Sequence, residues 1–264
     1  MTFAGGRSGV GAAGCRPSTG DSDSGFRAVI FDLDGTLADT LADIVAALDH
    51  VLARNGLPGH SQDAYRSFIG EGAFRLVERA LPAGRVDLAP AITREFKAYY
   101  GAHQLDHTAP YRGVPALLDS LVARHLRLGV LSNKTDQATG EMVGRLFGQW
   151  PFAAVMGERP GAPLKPDPEA ALAVCRAIGV DPALCVLVGD SGIDMETATR
   201  AGMAPVGAGW GFRGRDELLA YGALVVLNEP EELLSFLDGR PLQCPLEQDQ
   251  DHDQDQDHDQ DHDP

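Results

Sequence analysis

Six short apolar runs constrain what this chain can fold into. They are AVIF at 28 to 31, LRLGVLS at 126 to 132, FAAVM at 152 to 156, CVLVGD at 185 to 190, APVGA at 204 to 208 and ALVVL at 223 to 227. Each reads as a buried strand, bounded by turn residues and separated from the next by a helix-like or irregular stretch. Strands joined by such crossovers lie parallel, so the expected fold is α/β, a doubly wound parallel sheet of Rossmann-like form. In that architecture ligands collect beyond the C-terminal ends of the strands, which is where polar residues need to be read.

Between 39 and 109 no strand pattern appears. LADIVAALDHVLARNGL and AFRLVERAL instead repeat apolar residues at helical spacing, so this stretch is expected to be an all-helical insertion after the first strand. Asp39-Thr40 and Ala109-Pro110 are its expected hinges, leaving 26–38 and 110–240 as the sheet-bearing core. Residues 1–25 are rich in Gly, Ser and Asp without periodicity and read as a disordered leader. Residues 241–264 close in alternating Asp with Gln or His, a self-repelling tract also expected to be disordered, in which His252, His258 and His262 could hold a divalent metal weakly.

That tail carries most of the charge. From Glu247 onward there are nine acids and no base, so the formal −16 falls to −7 for the remainder. A moderately acidic body argues against nucleic acid or an anionic membrane as partner. Cys15, Cys175, Cys185 and Cys244 are scattered without a CxxC pair, indicating neither a zinc site nor a disulfide framework. AAGC at 12–15 matches a lipobox but lacks the apolar stretch of a signal peptide, and no run approaches the length of a membrane span, so a reducing cytoplasm is the expected location.

Polar residues do follow the strands. Asp32 and Asp34 come after the first and share one side of an extended chain; Ser132, Asn133 and Lys134 end the second; Gly189, Asp190 and Ser191 end the fourth, with Asp194 four residues past Asp190. PLKPDPEAAL places Lys165 just ahead of a helix with Asp167 as N-cap. Two adjacent carboxylates repel unless a cation shares their site. Clustered carboxylates suit Mg2+, with Lys165, Ser132 and backbone N–H groups left for phosphate oxygens. Of only three lysines, Lys134 and Lys165 fall in these loops.

DLDGT (32–36), LSNK (131–134), KPDP (165–168) and GDSGID (189–194), in this order, resemble the haloacid dehalogenase superfamily and its phosphoglycolate phosphatase-like branch over roughly 26–237. FIGEGAF (68–74) and GWGFRGRDELLAYGA (209–223) add to the likeness. The resemblance implies Asp32 as nucleophile forming an aspartyl-phosphate and Asp34 as the acid, then base, of the reaction. It implies Mg2+ held by the Asp32 and Asp190 side chains and the Asp34 carbonyl, with Asp194 orienting Lys165 or a metal-bound water. Gly35, Thr36 and Asn133 are then expected near the substrate, and Gly70, Gly72 and Arg75 of the all-helical insertion, which resembles the family's cap, are expected to form a second anion site. The implied activity is hydrolysis of a small phosphate ester, 2-phosphoglycolate first, with a β-phosphoglucomutase-like transferase or a non-catalytic binding protein as alternatives. Oligomeric state is not legible.

Overall fold

The structure, a computed structural model, describes residues 25–240; the acidic tail, Cys15 and Cys244 and the leader up to residue 24 lie outside the described residues. The chain runs β1 (Ala28–Phe31), β2 (Ala38–Asp39), α1 (Leu41–Arg54), α2 (Gln62–Phe68), α3 (Gly72–Ala80), α4 (Ala89–His103), β3 (Ala109–Pro110), α5 (Val114–Ala123), β4 (Arg127–Thr135), α6 (Asp136–Leu146) and β5 (Phe152–Glu158). It continues through α7 (Pro168–Ile178), β6 (Cys185–Gly189), α8 (Gly192–Ala201), β7 (Ala204–Ala208), α9 (Arg215–Ala220), β8 (Val225–Leu227) and α10 (Glu232–Leu237).

Six of these strands form one sheet in the order β5-β4-β1-β6-β7-β8, all parallel. The two central strands, AVIF and CVLVG, are buried at every residue, as a sheet covered on both faces requires. One face packs Val29, Phe31, Leu118, Val130 and Phe147; the other packs Ile30, Leu131, Val174, Ile178 and Leu187. Alternate residues of one strand thus feed two cores.

Two strand ends depart from the sequence expectation. β4 runs on to Thr135, with a register shift after Leu131 where it pairs β5, and such an irregularity re-aims side chains at a sheet rim. β8 starts late, because Ala223 still closes the preceding turn by donating its N–H to Leu218. Cys175 and Cys185, distant in sequence terms, meet as buried free thiols with their Sγ atoms 3.5 Å apart.

The helices α1 to α4 have a core of their own around Leu48, Leu52, Tyr65, Val77, Ile92 and Phe96. Full burial of each such side chain is worth about 1.5–3 kcal/mol, so the four helices pack on a core distinct from that of the sheet. The chain enters and leaves this unit through a two-residue antiparallel ribbon, Ala38 opposite Pro110 and Asp39 opposite Ala109. Asp43 in the first turn of α1 locks the two crossings. It accepts from the His107 and Thr108 N–H groups and the Thr108 hydroxyl at 2.7–3.0 Å. Burial opposes its charge, but the bonds from Thr108 and His107 prevail and hold the carboxyl below its ordinary range.

Candidate active site

β1 stops where Asp32 N–H donates to Val188 of β6, which anchors the backbone while the carboxylate projects past the sheet edge. Opposite stands Lys165, delivered by the loop ahead of α7 and buried there. Its Nζ lies 2.8 Å from Asp32 Oδ1, donates to Asp194 Oδ1 at 2.6 Å and to the Leu131 carbonyl at 3.1 Å, which uses all three of its protons. Burial disfavours the ammonium, yet Asp194 and Asp32 outweigh it and raise its pKa above the ordinary lysine value. Asn133 braces the same loop, accepting from the Lys165 N–H and donating to the Lys165 carbonyl and to Gly70 of the cap.

Asp194 closes a capping box at the start of α8, accepting from the Ser191 N–H and hydroxyl, so both of its oxygens are occupied. Asp190 differs. Among the described residues its hydrogen-bond donor is the Phe212 N–H, at 2.7 Å, and no lysine or arginine pairs with it. Burial, with the charges of Asp32 and Asp194 adding, raises the Asp190 pKa well above the carboxylate range. Asp32 is pushed up to about 7, by burial first, against the pull of Lys165. Gly35 makes this packing possible: at φ 83°, a side chain there would run into the Asp190 carboxylate and the Phe212 ring.

Asp32, Asp190 and Asp194 each bring a carboxylate oxygen within 4.8 Å of the others. Three buried carboxylates share one lysine, which leaves negative charge uncompensated, and the donors are all hard oxygens. The set fits a small divalent cation. Asp32 and Asp190 are the side chains free to ligate it, since Asp194 is spent on Lys165 and Ser191.

Asp34 sits in a separate setting. Lys134, at the extended end of β4, donates to both of its oxygens at 2.7 and 3.0 Å and to the Tyr100 hydroxyl of α4 at 2.8 Å. Burial opposes the ammonium here too, and Asp34 foremost raises its pKa beyond the ordinary value. The cleft between core and cap is floored by Asp32, Asp34, Ser132 and Asp190. Its roof is made by Ile44, Ile69, Leu76, Phe96 and Tyr100, with Gly70 and Gly72 at its edge.

Five expected residues stay off the cleft wall: Lys165 and Asp194, a buried pair whose lysine reaches Asp32, and three more. Gly35 serves the Asp190 packing just described. Thr36 is fully buried and touches the loop after β7 through its carbonyl, which accepts from Trp210 Nε1 at 3.0 Å. Arg75 is the plainest correction. Ala73 and Leu76 take the cleft face of α3, so position 75 turns outward, and its guanidinium, 56% exposed, pairs with Glu78. Tyr100 and Arg213 had no place in the reading of the sequence, and Lys134 entered it only as one of two lysines in the loops at the strand ends. Lys134 carried a signal, as a scarce lysine at a strand end ahead of an N-cap threonine. Arg213 donates to the Ser67 and Ile69 carbonyls of the cap at 2.9 Å, and Lys97 of α4 reaches Glu158 of β5 at 2.9 Å, so side chains from both units tie the cleft shut.

Comparison with known proteins agrees with this geometry. The family model described as haloacid dehalogenase-like hydrolase matches residues 29–208. A phosphoglycolate phosphatase of Rhodospirillum rubrum is 36% identical over 211 residues, covering 77% of this chain and 87% of that protein. An N-acetylmuramic acid 6-phosphate phosphatase of Pseudomonas aeruginosa is 30% identical over 222 residues, covering 83% and 98%. A crystal structure from Lactobacillus delbrueckii subsp. bulgaricus superposes with a TM-score of 0.75 at 29% identity, covering 80% of this chain and 98% of that one. With its strand-end carboxylates, its two lysines and its helical roof in one cleft, the chain belongs to the haloacid dehalogenase-like hydrolase family.

Proposed function

We propose that this protein is a Mg2+-dependent phosphomonoesterase that hydrolyses 2-phosphoglycolate through an aspartyl-phosphate on Asp32. The observation that carries the reading is the division of two neighbouring carboxylates into two settings, Asp32 against Lys165 in the floor and Asp34 against Lys134 beneath the cap. Paired acids in different environments are what nucleophile and acid–base roles require.

In the proposed reaction an Asp32 oxygen attacks phosphorus and the bond from phosphorus to the ester oxygen breaks. Asp34, exchanging a Lys134 contact for the leaving oxygen, gives that oxygen a proton. Asp34 then takes a proton from water as the water oxygen attacks the phosphorus of the aspartyl-phosphate, which frees inorganic phosphate and restores Asp32. Ser132 holds a phosphate oxygen, Lys165 turns the proton it shares with Asp32 to another once Asp32 bonds to phosphorus, and Asn133 keeps the Lys165 loop in place. The Asp32 and Asp190 side chains and the Asp34 carbonyl would hold Mg2+, which would supply charge to offset the developing negative oxygens. Gly70 and Gly72 let the cap edge lie close over the substrate.

Phosphate release from a panel of monoesters, with Mg2+ and with chelator, tests the reading. Turnover is expected with Mg2+, highest kcat/KM on 2-phosphoglycolate, and none in chelator. Full activity in excess chelator, or a preference for N-acetylmuramic acid 6-phosphate, would overturn it. Phosphoryl transfer to a second sugar phosphate without phosphate release would mark a mutase.

A further inference from the structure

Hydrogen-bond accounting at the roof singles out one group. Tyr100 is 6% exposed and lines the cleft, and its hydroxyl oxygen accepts from Lys134 Nζ at 2.8 Å. A lysine ammonium only donates, so this contact uses a lone pair of the phenol and leaves its proton unspent. Among the described residues Tyr100 donates to no acceptor. A buried hydroxyl that keeps its proton beside a cavity needs an acceptor there.

The surroundings say where that acceptor comes from. The roof beside Tyr100 is apolar, contributed by Ile44, Ile69, Leu76 and Phe96. Lys134 is held by the Asp34 carboxylate and by Tyr100, and what Asp34 releases when it turns to the leaving oxygen lies on the floor side, below the Tyr100 hydroxyl. Lys97 is engaged by Glu158, and Arg213, which also lines the cleft, gives its Nη2 protons to the Ser67 and Ile69 carbonyls and faces Glu217. Burial pushes the Tyr100 pKa up to about 12, so the phenol keeps its proton through the physiological range. Lys134, drawing on the phenol oxygen, polarises that O–H toward the cavity and makes it a better donor. Lys134 also bonds Asp34, which places Tyr100 one side chain away from the group assigned to the leaving oxygen.

We infer that Tyr100 is a specificity-determining residue of the cap, donating its hydroxyl proton to an acceptor oxygen on the leaving group beside the ester oxygen. The substrate class this selects is phosphate esters of short 2-hydroxy acids, whose carboxylate lies next to the ester carbon. The inference rests on the reading of the cleft as a phosphomonoesterase site for 2-phosphoglycolate. A site built to donate to a substrate oxygen rejects an analogue lacking it, because its buried donor is then left unpaired.

The test compares 2-phosphoglycolate with ethyl phosphate, which keeps the two-carbon leaving group and lacks the carboxylate. Wild type and Tyr100→Phe are assayed with Mg2+ by phosphate release, with melting temperature as a check that the ring still packs. The ratio of kcat/KM values for the two esters is expected to be large in wild type and to fall by about 10- to 100-fold in Tyr100→Phe, with an unchanged melting temperature. Equal losses on both esters would overturn the inference and leave the hydrolase reading standing, since Tyr100 would then act only by steadying Lys134. A wild type that does not favour 2-phosphoglycolate over ethyl phosphate would overturn the substrate reading itself and the inference with it. Should the variant melt early, Tyr100→His, which keeps a ring donor, separates the cases: a restored ratio supports the inference, and a ratio as low as a loosened fold gives on both esters contradicts it.

Discussion

The floor of the cleft gathers Asp32, Asp34, Ser132, Lys134 and Asp190 at strand ends, with Lys165 buried against Asp32 and Asp194, whereas the roof presents Ile44, Ile69, Leu76 and Phe96 around one hydroxyl, that of Tyr100. Their supports differ as much as their chemistry. Floor groups hang from central strands buried at every residue, and hydrogen bonds from Asn133, Ser191 and Phe212 fix them further. The roof hangs from a two-residue ribbon and is tied to the core by side chains such as Lys97 and Arg213. Lys97 and Glu158 are 37% and 30% exposed, and an ion pair in that setting is worth about 0.2–1 kcal/mol. Rigid charge below suits bond making, which tolerates little misplacement; a weakly tied apolar lid suits entry, exclusion of water and choice of leaving group.

The sharpest way to break this division is to strike the floor at its two carboxylates. Asp32→Asn is expected to bring turnover to background with the melting temperature retained, since an amide cannot form the acyl phosphate. Asp34→Asn keeps the nucleophile and is expected to lose roughly 10²- to 10⁴-fold in kcat, the usual worth of acid–base assistance. Steady-state assays of both variants decide it, and wild-type rates in either would show that the floor does not work as described.

A smaller effect is expected from the roof edge. Gly72 has a φ of 83° and faces Leu164 and the Asn133 carbonyl, so Gly72→Val strains the backbone and pushes the cap off the core. The expected loss is ~10- to 100-fold in kcat/KM on 2-phosphoglycolate and on p-nitrophenyl phosphate alike, the signature of impaired closure. A loss confined to 2-phosphoglycolate would move carboxylate recognition from Tyr100 to the start of α3.

The smallest expected effect is on stability. The Asp32 carboxyl has an ordinary value of 3.8 and stands at about 7 in the fold. Between those values the folded form binds more protons there than the unfolded chain, so this contribution is full below the lower value and fades as pH rises through the upper one. Asp190, raised for the same reason, acts in the same direction. A bound cation favours the ionised carboxylates and offsets the loss. Saturating Mg2+ should therefore raise the melting temperature by about 5 °C at pH 8 and by much less at pH 5. An equal shift at both pH values would place the ion elsewhere.

The floor was legible in the sequence because its information is local. Asp32, Asp34, Ser132, Lys134 and Asp190 each follow an apolar run, and a parallel sheet brings such ends together whatever the details of packing, with Lys165 and Asp194 joining them from the loop before α7 and the start of α8. The roof was not. Tyr100 follows Phe96 at i+4 on an amphipathic helix and reads as one more core residue; its meaning comes from Lys134, 34 positions away, and that of Lys134 from Asp34, 100 positions away. Arg75 failed for a related reason, since sequence gives a helix face only relative to its neighbours, and the packing of Ala73 and Leu76 decided which face met the cleft. The extension of β4 to Thr135 was hidden too, because Lys134 and Thr135 are polar and lie past the apolar pattern.

The central claim, that the floor makes the bond to phosphorus through Asp32 while Asp34 moves protons, is tested most directly by intact-mass measurement of Asp34→Asn after mixing with p-nitrophenyl phosphate and Mg2+. Nitrophenolate needs no proton to leave, so the phosphoenzyme should form; with no base to activate water, it should persist. The expected result is a gain of one phosphoryl group, located on Asp32, labile to hydroxylamine and missing from the Asp32→Asn, Asp34→Asn double variant. A phosphoryl group on any other residue, or turnover without one while the double variant stays active, would contradict it.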